Sequence, residues 1–264
     1  MDFNNKTIWI TGASSGIGKA VAIAIADYKA HLILSGRNEE ALREVATICK
    51  KLGSSVQIVT FDLGDQQAVE MAAAEVLTNG TKIDALYQFG GISQRSFVVE
   101  TPVAVDRKIF DVNYFGTIAL AKAVLPNMIK NGGGHMAVTS SIVGKFGFPY
   151  RSSYSASKQA LHGFFESLRA ENAKNNIKVS IIIPGRIKTN ISVNAIDKNG
   201  NSHGVMDQGQ NNGVKAEIAA RKIIKQLKSN KKEIKVGGKE MIMLTIRRFF
   251  PELFYYLASR VKPL

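Results

Sequence analysis

The sequence is poor in cysteine, tryptophan and proline: one Cys (Cys49), one Trp and 6 Pro in 264 residues. A lone thiol closes no internal disulfide, which excludes a small fold held by cross-links and fits a reducing compartment. No run approaches the roughly 18 apolar residues of a membrane-crossing helix. The opening MDFNNKTIWITG lacks the apolar stretch of a signal peptide, so the expected address is cytoplasmic. Acidic residues are also scarce, 21 Asp/Glu against 35 Lys/Arg, for a net charge of +14. The excess is uneven: residues 214–264 carry 13 Lys/Arg and 4 Asp/Glu, whereas the first 213 carry 22 and 17. A nucleic acid, an anionic membrane face or an acidic partner could use such charge. No recognition module accompanies it, so nucleic acid is not an expected partner.

What is present is an alternation. Short β-branched runs at 6–11, 31–35, 55–61, 83–89, 135–140 and 179–183 are separated by helical stretches. The helices are expected near 16–28, 38–52, 65–78, 101–130 and 152–174, the fourth opened by Thr101 as cap and Pro102 as first helical residue. Continuously apolar strands alternating with helices predict an α/β fold: one doubly wound parallel sheet, Rossmann-like, covered on both faces. The expected organisation is a single domain over residues 1–240 with a basic, aromatic C-terminal segment at 241–264. The Asn- and Gly-rich stretch 190–213 is too long for an ordinary connection and is expected to be a lid.

The first strand runs into TGASSGIGKA. Gly12, Gly16 and Gly18 let the backbone turn sharply, and the helix start beyond them offers free N–H groups to a pyrophosphate. With Ser14, Ser15 and Ile17 they form a candidate dinucleotide cradle. An NAD site would place a carboxylate on the ribose 2′-hydroxyl at the end of the second strand. That strand ends Ser35-Gly36-Arg37. A missing acid followed by a cation predicts NADP, with Arg37 on the 2′-phosphate.

These residues resemble the short-chain dehydrogenases/reductases, from about residue 5 to 190. TGASSGIG is similar to that family's cofactor motif, and Asp62 in FDL to its adenine-contacting position. Asn113 in DVNYFGT, Ser141 in TSSIVG, and Tyr154 and Lys158 in YSASK are similar to its catalytic set. Ser141 stands 13 residues before Tyr154, the family's usual interval. Pro184, Gly185 and Thr189 resemble its PG motif beside the nicotinamide. GGISQRS and YSASK…LHGFFESLR resemble the reductases related to hydroxysteroid dehydrogenases. The resemblance implies cofactor contacts at Leu63, Gly90, Tyr154 and Lys158 as well, and a homodimer or homotetramer. The chain departs from the family at Gln88-Phe89-Gly90-Gly91, where an Asn-Asn-Ala-Gly is usual. Gln88 is expected to reach the partners of the first asparagine with a longer arm.

Tyr154 and Lys158 lie one helical turn apart on one face. A free phenol has a pKa of about 10, and a neighbouring ammonium is expected to lower it towards the range useful for general acid–base transfer. The resemblance implies that Tyr154 exchanges a proton with a substrate oxygen. It also implies that Ser141 hydrogen-bonds that oxygen, Lys158 holds the nicotinamide ribose and Asn113 holds a water leading to solvent. The expected activity is NADP(H)-dependent interconversion of a carbonyl and an alcohol. Phe146, Phe148, Tyr150, Ile187 and Ile191 suggest a lipophilic substrate. A competing reading is a catalytically silent nucleotide binder or membrane-attached partner protein of the same fold. His31, His135, His162 and His203 show no ligand spacing, so a metal is not expected, and neither is a serine nucleophile. In the C-terminal segment Arg247, Arg248, Arg260 and Lys262 interleave with Phe249, Phe250, Phe254, Tyr255 and Tyr256, and Pro251 divides it. That pattern suits an interfacial helix on anionic lipid, or an element packed on the pocket or a neighbouring subunit.

Overall fold

The structure, a computed structural model, describes residues 1–78 and 80–261. Seven parallel strands make the main sheet: β1 Thr7–Thr11, β2 His31–Gly36, β3 Ser55–Thr60, β4 Ala85–Gln88, β5 Gly134–Thr139, β6 Ile177–Pro184 and β9 Glu233–Val236. A two-stranded ribbon pairs β7 Ile187–Lys188 with β8 Val214–Lys215. The spatial order is β3-β2-β1-β4-β5-β6-β9. The chain winds outward from β1 to β3, crosses back to β4 beside β1, and winds outward the other way. Where the direction reverses, the loops beyond β1 and β4 diverge and open a crevice at the carboxyl ends.

Helices cover both faces. On one lie α1 Gly16–Ala26, α2 Glu39–Lys51 and α8 Ala216–Lys228. On the other lie α3 Gln66–Thr78, α4 Val103–Phe110, α5 Gly116–Lys130 and α6 Ser152–Glu171. Helix α2 shows how locally the sequence dictates this. Asn38 caps it by accepting from Ala41 N at 2.9 Å, Glu39 and Glu40 occupy the first turn, and Lys50 and Lys51 the last. Leu42, Val45, Ala46 and Cys49 recur at helical spacing, and all four are buried against the sheet. The central strands are buried on both faces, hence their unbroken apolar runs. Trp9 is fully buried, and its indole donates to Ser35 Oγ at 2.9 Å, tying β1 to β2.

Three expectations shift. The fourth strand is shorter than 83–89, spanning Ala85–Gln88. The helical stretch 101–130 is broken: α4 begins at Val103 with Pro102 as its cap, and a π-helical segment, Asp111–Phe115, separates it from α5. Such a bulge re-aims the side chains within it. Helix α8 and strand β9 extend the alternation past 183, so the basic region is largely one more β-α-β step. Its charges sit on the solvent side, while Ala219, Ala220, Ile223, Ile224 and Leu227 enter the core.

After β9 come α9 Ile242–Phe249 and α10 Pro251–Ser259. Pro251 opens α10 and makes the break. Phe254 is buried against Val143 and Phe146, with the Phe146 and Phe254 rings 4.7 Å apart. Phe249, Phe250, Tyr255 and Tyr256 are exposed. Lys262 lies outside the described residues. No helix among the described residues is long and apolar enough to cross a membrane.

Candidate active site

The crevice at the carboxyl ends of the strands is a cleft of about 740 Å³, within the range of small-molecule sites. Its floor is the turn after β1. Gly12 has φ +67°, and a Cβ there would lie 2.6 Å from Gly90 N. A Cβ on Gly18 would lie 2.2 Å from Gly12 O, and one on Gly90 2.4 Å from a Leu63 methyl. The turn therefore packs against the end of β4 with no room for side chains, which keeps the cradle open above it. Ser15 caps α1 with extended backbone but makes no side-chain cap bond, and no acidic residue stands in the first turn. An uncapped helix start over a glycine turn suits an anionic diphosphate. The residues present therefore fit a dinucleotide. Gly12, Ser14, Ser15, Gly16, Ile17, Gly18, Arg37, Asp62, Leu63, Gly90, Pro184, Gly185 and Thr189 all line this one cleft.

At the rim, Arg37 lies largely in solvent with Nη1 3.6 Å from Asp62 Oδ2. Gly36 faces Ser14, whose Oγ would be 3.2 Å from a Cβ at that position. Arg37 is thus the nearest cation to the end of β2, and its donors are free to turn to a ligand.

Ser141, Tyr154 and Lys158 line the same cleft. Ser141 lies two residues past the end of β5, where its Oγ accepts from Val143 N at 3.3 Å and caps a short 3-10 turn. Lys158 is buried and donates from Nζ to Thr139 O at 2.8 Å. No carboxylate pairs with it among the described residues, and burial lowers its pKa to about 8. The Tyr154 phenol departs from the expected lowering. Its pKa is raised, because the protein around it desolvates the phenolate. The Ser141 hydroxyl and the Arg95 and Arg151 guanidiniums oppose that shift without reversing it. Lys158 Nζ stands 5.9 Å from the Tyr154 ring centre, too far to dominate.

Asn113 sits in the π-helical segment just behind the cleft wall and is fully buried. Its Oδ1 accepts from Ile92 N at 2.8 Å; its Nδ2 donates to Ile92 O at 2.9 Å and Ser157 Oγ at 3.1 Å. The side chain thus locks α6 to the loop after β4. Gly91 is needed beside it: a Cβ there would lie 2.9 Å from Asn113 Oδ1 and 3.2 Å from Lys158 Nζ.

Gln88 corrects a further expectation. It is buried, but neither side-chain polar atom finds a hydrogen-bond partner among the described residues. The hydroxyls of Thr11 and Thr139, on the strands to either side, are likewise unpaired. The longer arm does not take up the bracing that an asparagine would supply. The histidines also differ in part. His162, Glu166 and Glu233 meet with ligand atoms within 4.8 Å, although Lys145 already pairs with Glu233 at 2.5 Å. His135 is a buried core histidine, with Nε2 2.9 Å from Ser180 Oγ.

Sequence reasoning missed two groups. Gln94 is fully buried, and its Oε1 accepts from Ser153 N at 2.9 Å, fixing the start of α6 just ahead of Tyr154. Arg95, Arg151 and Asp207 form a buried ion cluster lining the cleft. GGISQRS drew attention only as a subgroup resemblance, and no local signal announces partners so distant along the chain. From the stretch 190–213, Asn190, Ile191, Asn194 and Gln210 line this end of the cleft. The stretch is pinned by Ile196, whose N–H and C=O bond Ser93 and Arg95, and by the short helix α7, Gln208–Asn211.

Comparison with known proteins agrees with this geometry. Residues 6–200 match the family described as short chain dehydrogenase. The chain is 41% identical over 257 residues to dehydrogenase/reductase SDR family member 7B of Xenopus laevis, covering 95% of this chain and 80% of that protein. It is 40% identical over 267 residues to the mouse protein of the same name, covering 98% and 82%. Among solved structures, a short chain dehydrogenase/reductase from Burkholderia phymatum in complex with NAD superposes with a TM-score of 0.83 at 23% identity, covering 100% of this chain and 99% of that one. One from Burkholderia cenocepacia in complex with NADP gives 0.81 at 23%, covering 99% and 100%.

Proposed function

The chain belongs to the short-chain dehydrogenase/reductase family of oxidoreductases, and from that premise we propose that it interconverts a carbonyl and an alcohol on a lipophilic substrate with NADP(H). The observation that carries the reading is the meeting of Ser141, Tyr154 and Lys158 in the same cleft as the glycine cradle. The nicotinamide supplies or accepts a hydride when bound; the protein orients the reacting groups and handles the proton. Ser141 donates a hydrogen bond to the substrate oxygen and stabilises the charge that develops there. Tyr154 gives that oxygen its proton in reduction and removes it in the reverse direction. Lys158 holds the ribose and, as an ammonium, favours the phenolate. Asn113 acts by position, since its amide is spent on Ile92 and Ser157. Apolar walls at Ile142, Val143, Phe146, Phe148 and Met243 support a lipophilic substrate.

The test is nicotinamide absorbance with aldehydes and ketones of graded chain length, using NADPH and NADH. Consumption of NADPH that increases with chain length is the expected result. No consumption with any carbonyl, despite tight NADPH binding, would leave the silent nucleotide binder as the better reading.

The proposal extends to a cytoplasmic homodimer or homotetramer that touches a membrane peripherally. The exposed Phe249, Phe250, Tyr255 and Tyr256, with Arg247, Arg248 and Arg260 among them, support the contact. The protein is expected to sediment with anionic liposomes at low salt and to lose that binding when the four aromatics become serine. Equal sedimentation of the two chains would remove the membrane contact.

A further inference from the structure

We infer that the substrate carries an anionic oxygen group, a carboxylate or a phosphate monoester, and that Arg151 receives it. This deepens the carbonyl–alcohol reading and rests on it only in calling the ligand a substrate.

The argument begins with a charge imbalance. Arg95 is buried, with its side chain 3% exposed. Its Nε and Nη2 donate to Asp207 Oδ2 at 3.0 and 2.6 Å, and its Nη1 to Ser93 Oγ at 2.8 Å and Gln94 O at 2.6 Å. Nearly all its donors are spent. Arg151 leans on the same carboxylate, Nη2 to Asp207 Oδ2 at 2.9 Å, with one further bond from Nη1 to Pro149 O at 3.3 Å. Its Nε has no partner among the described residues, and a guanidinium has five N–H donors in all. One carboxylate thus faces two guanidiniums, and the second keeps free donors while lining the cleft.

Among the described residues nothing nearby corrects the balance. Lys158, also lining the cleft, adds a cation with no acidic partner among the described residues. Glu240 lines the cleft too, but its Oε1 accepts from Arg186 N and Gly238 N. A buried cation excess is costly unless a counter-charge arrives. A neutral substrate brings none. A planar fork with unspent N–H groups is the donor set that carboxylate and phosphate oxygens match. The cofactor's own phosphates are assigned to the glycine cradle and to Arg37. Arg95 and Arg151 stand instead at the reacting end, near enough to Tyr154 to oppose the rise that burial imposes on its pKa. An anion on Arg151 would hold the far end of the substrate while its carbonyl meets Tyr154, one turn further along α6.

The test measures binding without turnover, so it can fail while the oxidoreductase reading stands, and the reverse. The full chain is titrated calorimetrically near neutral pH with decanoate, octyl phosphate and decanol at matched ionic strength. At least one anion is expected to bind about tenfold or more tighter than decanol, as a charge-assisted contact implies. Preference for decanoate alone or octyl phosphate alone identifies the source; preference for both means a shared anion site. Arg151→Gln is expected to shrink the preference to less than about threefold. Should that variant not fold, Arg151→Lys keeps the charge but loses the planar fork, and is expected to reduce the preference severalfold. Equal wild-type affinity for all three ligands overturns the inference. So does a preference unchanged in the variant that folds, which would place the anion on the basic surface instead.

Discussion

Tyr154→Phe is expected to lower carbonyl reduction by about a thousandfold, the middle of the range for a positioned acid, while cofactor affinity changes by less than about threefold. The substitution deletes one oxygen from a ring that packs against the cluster of Val143, Phe146 and Phe254, so the apolar contacts that hold the ring survive. What disappears is the proton. Ser141 cannot replace it, because a hydroxyl without an adjacent base is a far weaker acid than a phenol. The burial that raises the Tyr154 pKa gives this prediction a direction as well as a size. At neutral pH the phenol is protonated, which is the form reduction needs. Alcohol oxidation needs the phenolate, so its rate is expected to climb as pH rises above neutral while reduction holds level and then falls. Lys158 runs the other way. With its pKa near 8, its ammonium is present below that pH and fades above it, weakening support for the phenolate just as the phenolate forms. The rise in oxidation should therefore be shallower than that of a single ionising acid. Steady-state rates in both directions across pH check this; a Phe variant with normal turnover, or identical pH profiles in the two directions, would remove the acid–base role from Tyr154.

Much of this site is legible in the sequence because its parts are local. The glycine turn, the strand-end Arg37 and the pair Tyr154/Lys158 each sit within one turn or one helix, so spacing alone places them. The doubly wound sheet is legible for a related reason: strands buried on both faces carry unbroken apolar stretches, such as Met136–Val138 in β5 and Ile181–Ile183 in β6. Long-range pairing is where the reading stops. Asp207 reaches Arg95 across 112 residues and Arg151 across 56. In the sequence the three are ordinary surface charges. Helix α8 is obscured differently, since Arg221, Lys222, Lys225 and Lys228 read as part of the basic C-terminal excess, while half of its six buried side chains are alanines. The phenol is the most instructive case. Spacing gives the correct neighbour but not the dielectric, and burial outweighs a lysine 5.9 Å away.

Arg37→Glu is expected to weaken NADPH binding by about a hundredfold or more while NADH changes by no more than a few-fold. The size follows from two terms. A charge-assisted hydrogen bond to phosphate contributes about 1.5–3 kcal/mol, which is roughly ten- to more than a hundredfold. Replacing the cation by an anion adds repulsion between the new carboxylate and the 2′-phosphate, partly screened because this rim is exposed. The present environment leaves the arginine free for that contact. Its side chain is 67% exposed, and its nearest acid, Asp62, stands at 3.6 Å without a hydrogen bond. Asp62 also explains why Glu rather than Ala is the informative change. Alanine removes only the contact, whereas Glu places a second carboxylate beside Asp62 and makes the rim anionic, so a phosphate is repelled and a 2′-hydroxyl gains an acceptor. Gly36 could not host that acceptor as well, since a side chain there begins 3.2 Å from Ser14 Oγ, against the cradle itself. Fluorescence titration with each reduced cofactor measures the ratio. If both cofactors weaken equally, Arg37 does not read the phosphate, and the NADP reading loses its support.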